Sequence, residues 1–180
     1  MILKTLPPDL EEAFCDLLDA YRAYYDVRES SDVEPFLAEA EFRLHDEEYF
    51  LIKAAKVTEY DSSEQVFFAA ADRLTAEDYR DLERIAWEEG LDRAVIGEHH
   101  RSSDVVLLIV CGAIEPAAAA AIRKARQYKS YRLGLRGYSH LRTLAYVPAA
   151  GETVHNRMGA NLQKVIDNIQ TLKGRTNKVL

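Results

Sequence analysis

The sequence predicts an α+β fold, a single domain built on a mixed sheet, and three observations carry that prediction. The apolar period is about 3.6 residues near the start, shifts to 2 around residues 38 to 71, and later returns to helical spacing. Val105 to Val110 is an unbroken aliphatic run between Asp104 and Gly112, the pattern of a strand covered on both faces at the centre of a sheet. The chain has 180 residues with only 8 Gly and 5 Pro, enough for one real core, and no linker or internal repeat divides it. The predicted order over residues 1–180 is α, β, β, β, α, β, α, β, β, α, with 175–180 as a frayed tail.

The first helix is predicted over residues 8 to 27. Pro7-Pro8 is a start signal, Asp9, Glu11 and Glu12 favour a helix N-terminus, and Leu10, Phe14, Leu17, Leu18, Tyr21, Tyr24 and Tyr25 make one apolar stripe. Residues 28 to 35 read as a loop. Strands follow near 38 to 45 and 48 to 58, with Phe36 to Glu41 open to a short helix instead. Tyr60 to Ser63 reads as a turn, and Val66 to Ala71 is the third strand of an antiparallel meander.

Thr75 and Asp78 are spaced close to a capping box, and Tyr79, Leu82, Ile85 and Ala86 line a helix that Gly90 is expected to stop. Gly97 to Arg101 reads as a charged loop ahead of the central strand. Pro116 opens an alanine-rich helix predicted to reach about Tyr131. Gly134 and Gly137 form a loop, Leu141, Thr143, Ala145 and Val147 alternate as a strand, and Pro148 to Gly151 turns the chain into a short returning strand at Thr153 to Asn156. A closing helix carries Leu162, Val165, Ile166, Ile169 and Leu172 and is expected to end at Gly174.

The formal charge of -7 hides two unlike halves. Residues 1 to 115 hold 11 Lys+Arg against 28 Asp+Glu, whereas residues 116 to 180 hold 12 against 2. No acid lies between Glu115 and Glu152, while Arg123, Lys124, Arg126, Lys129, Arg132, Arg136 and Arg142 fall within that stretch. Such asymmetry suits an acidic protein surface or a small anion, or a second copy of the chain in a homodimer. The acidic half argues against duplex nucleic acid. Arg157, in the turn before the last helix, adds a candidate anion contact beside backbone amides.

Cys15 and Cys111 sit in apolar segments and read as core thiols of a cytoplasmic protein, not as a disulfide scaffold or nucleophiles. No signal segment or membrane span is predicted. His99-His100 beside Glu98 reads as a solvated loop, because adjacent residues diverge and rarely close on one metal. No nucleophile elbow, phosphate-cradling loop or dinucleotide fingerprint occurs, so no catalytic residue, metal or cofactor is expected.

The α-β-β-β-α-β opening, over roughly residues 8 to 112, resembles restriction-endonuclease-like folds in element order. That resemblance implies a strand carboxylate and an acid two positions before a lysine, as metal ligands and water activator. Neither Lys53 nor Lys56 has the acid, since Leu51 and Ala54 stand there, so the motif is lacking. Gly134-Leu135-Arg136-Gly137 is similar to the backbone-clamping loop of KH domains, but that loop joins two helices and here a strand follows. From Tyr138 to Ile169 the chain resembles uncharacterised bacterial domains. The expected role is a non-catalytic binding or protein-interaction module, with a divergent nuclease-like enzyme as the alternative.

Overall fold

A computed structural model describes residues 2–44, 61–98 and 100–176. Its elements are α1 (Pro8–Arg22), β1 (Asp26–Arg28), β2 (Ala38–Leu44), β3 (Asp61–Leu74), α2 (Ala76–Asp92), β4 (His100–Ile114), α3 (Pro116–Lys124), β5 (Tyr128–Ser130), β6 (Tyr138–Val147), β7 (Glu152–His155) and α4 (Gln163–Thr176). The strands form one mixed sheet in the order β1-β2-β3-β4-β6-β5, with β7 also paired to β6. β3, β4 and β6 run parallel, joined by α2 and α3, and the remaining pairings are antiparallel.

Because strand side chains alternate, the parallel strands feed two separate cores. Val66, Phe68, Val106, Leu108, Leu144 and Tyr146 pack under α1 and α4. Phe67, Ala69, Leu107, Ile109, Leu141 and Ala145 pack under α2 and α3. The aliphatic run at Val105 to Val110 is thus the middle of the sheet, buried on both faces as its sequence predicts. Pro8 and Pro116 open their helices, and the capping box at Thr75 forms with both of its hydrogen bonds.

Several boundaries differ from the sequence expectation, each for a local reason. α1 ends at Arg22, not residue 27, because the chain turns and Asp26 to Arg28 pairs with Glu39 to Glu41. Asp61 to Ser63 is strand, not turn, held between β2 and β4. The predicted strand at 48 to 58 lies outside the described residues.

Gly90 does not stop α2, which runs on to Asp92. A Cβ at Gly90 would lie 2.4 Å from a Val105 methyl, so the glycine sets how closely the helix approaches the sheet. His100 and Arg101 belong to β4, not to a loop. α3 ends at Lys124, short of Tyr131, because Tyr128 to Ser130 pairs along β6 as an edge strand. Gly174 lies inside α4.

Candidate functional site

The cations that the sequence singles out separate into two groups. α3 carries Arg123 and Lys124 in its exposed last turn, where the helix dipole favours positive charge. Arg126 follows it, Lys129 lies on β5, Arg132 sits at the β5–β6 hairpin turn, and Arg157 follows β7, all exposed. None of these has an acidic partner within salt-bridge distance among the described residues. Lys129 places its Nζ 5.5 Å from the centre of the Tyr131 ring.

Arg142 does not join that surface. It is 21% exposed, and its two terminal nitrogens donate to Glu64 Oε1 at 2.5 Å and to Asp104 Oδ2 at 2.7 Å. Arg136 also turns inward, to Glu98 at 3.7 Å. A single positive surface running from Arg123 through Arg142 is therefore corrected: acids of the first half occupy its last two members.

Pairing explains how Glu64, Asp104 and Arg142 meet. Phe42 pairs with Glu64, Glu64 with Asp104, Val105 with Leu141, and His140 with Tyr128. Phe42, Glu64, Asp104, His140 and Tyr128 thus form one row across the amino ends of the parallel strands, facing the α1 and α4 side. Arg142 stands one step further in on β6 and reaches back to both acids. Tyr25 donates to Glu64 Oε2 at 2.6 Å, and the backbone N–H of His140 donates to Asp104 Oδ1 at 3.3 Å.

Burial raises the Asp104 carboxyl above its ordinary range, against the charge of Arg142 and with help from Glu64. Burial likewise raises the Tyr21 and Tyr25 hydroxyls, and Glu64 adds to both shifts. Beside this row a cleft of about 270 Å³ is lined by Tyr21, Tyr24, Tyr25, Glu64, Arg142 and Asn161 among others.

The β5–β6 hairpin is built from unusual backbone. Arg132, Leu133, Gly134 and Gly137 have φ of 47°, 56°, 87° and 76°. Left-handed Arg132 and Leu133 are strained positions that the surroundings must hold. A Cβ at Gly137 would lie 2.2 Å from the Arg101 carbonyl oxygen, so only glycine lets the hairpin press on β4 there.

His100 latches the same point. Its Nδ1–H donates to the Arg136 carbonyl at 2.6 Å, while Nε2 lies 2.8 Å from Ser103 Oγ. His100 is thus a buried structural residue and not part of a solvated loop. Beyond the latch, Leu133 and Leu135 are 99% and 85% exposed.

Tyr128, Tyr138 and His140 form an aromatic group at the sheet edge. Ring centres lie 6.5 Å apart for the two tyrosines and 4.9 Å from each tyrosine to His140. Tyr128 is 57% and Tyr138 37% exposed.

Cys111 is buried, its thiol pushed up to about 12 by that burial, and it donates to the Tyr146 carbonyl. Cys15 is exposed, contrary to its reading as a core thiol. Among the described residues no group of three or more His, Cys, Asp or Glu side chains is arranged to hold a metal.

Sequence reasoning missed both the Glu64–Arg142–Asp104 cluster and the aromatic group. The available signal was a charged residue at a parity that the next residues of each strand bury: Glu64 before Val66, Asp104 before Val106 and Arg142 before Leu144.

The chain matches a family model over residues 9–168, the family described as Domain of unknown function (DUF8052), and it belongs to that family. No curated protein and no solved structure matches it significantly.

Proposed function

We propose that this member of the DUF8052 family is a non-catalytic binding module that engages an anionic partner through the segment from Arg123 to Arg132. The observation that supports the reading is the set of cations left exposed, with no acidic partner among the described residues, after the fold has consumed Arg142. Arg123, Lys124, Arg126, Lys129 and Arg132 lie exposed in an acid-free segment of an otherwise acidic chain, and salt should screen their pull on a partner beyond a Debye length of ~10 Å. The strained hairpin beside them displays Leu133 and Leu135 to solvent, a combination that suits recognition by contact better than catalysis.

Titration of the protein with fluorescent polyglutamate tests this reading. Binding should weaken steeply with added salt, and the triple variant R123E/K124E/R132E should lose ~10-fold or more in affinity. Equal binding by the native protein and the triple variant would contradict it.

A second reading, a divergent nuclease-like enzyme, is favoured by one observation: Glu64 and Asp104 converge from adjacent parallel strands beside a cleft. Cleavage of single- or double-stranded oligonucleotides in the presence of magnesium, abolished by E64Q and D104N, would establish it. An inert native protein would remove it.

A further inference from the structure

We propose that the anionic partner is a single-stranded nucleic acid, with bases stacked on Tyr128, Tyr138 and His140 and phosphates met by Arg126 and Arg132, which flank those rings along the edge. This inference rests on the anion-binding reading and names the ligand that would use both the rings and the cations that flank them. An acidic protein patch would use the cations but leave the exposed rings without a matching partner. A single strand supplies both halves of the chemistry, one negative charge per phosphate and one flat π face per base.

The three rings sit within contact distance of one another on two adjoining strands, tilted by 31°, 40° and 62° in their three pairs, and together they offer separate stacking faces for about two or three bases. β5 is the sheet edge at this end, and its three residues are all exposed, so no element among the described residues covers it. Arg126 precedes Tyr128 by two positions, at the same parity, and Arg132 stands at the hairpin turn, so positive charge flanks the edge, while Lys129 alternates to the other face of β5.

The opposite side of the platform is closed to phosphate. Glu64 and Asp104 continue the same row inward, and the single guanidinium of Arg142 between them leaves a net negative charge. The strand must therefore run along β5 and the hairpin and not across the sheet. A duplex fits poorly, because its bases are already stacked on each other and its charge would meet the acidic half.

The experiment is fluorescence anisotropy with four probes: a 12-nucleotide oligouridylate, an abasic oligonucleotide of equal length, a duplex of equal length, and polyglutamate. The oligouridylate should bind ~10-fold or more tighter than the abasic strand and the duplex. Y128A/Y138A should fall to the abasic level while keeping native polyglutamate affinity, and Y128F/Y138F, which keeps both rings, should bind like the native protein. Both tyrosines are exposed, so the fold should survive their loss, and an unchanged thermal unfolding curve checks it. Equal affinity for based and abasic strands, a duplex bound as tightly as the single strand, or no effect of losing the rings would overturn the stacking inference while polyglutamate binding persists. Absence of binding to every probe, polyglutamate included, would instead overturn the anion-binding reading on which it rests.

Discussion

Arg142 and Arg123 are arginines of the same basic segment, yet the fold gives them opposite roles. Arg142 lies on β6 at a parity that faces α1 and α4, where half-buried Glu64 and buried Asp104 take both ends of its guanidinium. Arg123 lies on the outer turn of α3 and keeps its charge in solvent. The difference teaches that a run of positive charge in sequence is not yet a surface. Strand parity and helix face decide which charges are consumed by the protein and which remain for a partner.

The largest effect should come from removing the consumed arginine. R142M leaves Glu64 and Asp104 facing each other with no counter-charge, and urea denaturation should show a loss of roughly 3 kcal/mol. R123A, by contrast, should change stability by less than about 0.5 kcal/mol. Adding D104N to R142M should recover part of the loss, because one of the two stranded charges is gone. Similar losses for R142M and R123A would erase the distinction between the two groups.

A smaller effect separates two buried acids by the number of their partners. At Glu39 burial works to raise the carboxyl, but hydrogen bonds from Arg93 and Ser31 and the charges of Arg93 and Arg28 outweigh it and hold the group below its ordinary 4.5. Glu39 therefore stabilises the fold above 4.5, and that contribution is lost as pH falls through its lowered value. Asp104, which shares one arginine with Glu64, is raised above its ordinary 3.8, so its contribution is present below 3.8 and is lost as pH rises through its raised value. Denaturation across acidic pH should show the stability difference between native protein and E39Q growing with pH. The difference between native protein and D104N should shrink. Slopes of the same sign would contradict the assignment.

These partners show what was legible in the sequence and what was not. The core strands were readable because Val105 to Val110 and Val66 to Ala71 carry their burial in their composition. α1, α2 and α3 were readable from Pro8, Thr75 and Pro116, which mark helix starts through local chemistry. Helix ends were not, since Gly90 proved to be a packing contact with Val105 and Tyr128 was drawn into an edge strand by β6. The Glu64–Arg142–Asp104 cluster depends on pairing between segments up to 78 residues apart, and no local pattern encodes that register. The unpaired cations were found from sequence, but only the structure shows that Arg136 and Arg142 do not belong with them.

The smallest effect concerns self-association. The acidic first half and the unpaired cations of the second are complementary between copies, which supports a two-fold dimer. Sedimentation velocity should show a concentration-dependent dimer that added salt weakens, since exposed charges are screened. A single species at monomer mass at high concentration and low salt would end that proposal.

The most direct test of the central claim is a polyglutamate titration of R123E/K124E/R132E beside R142M, with the native protein as reference. The triple variant should lose ~10-fold or more in affinity, while R142M should bind like the native protein. Undiminished binding by the triple variant, or loss of binding only in R142M, would show that the anionic partner is held by the buried row and not by the cations that the fold leaves free.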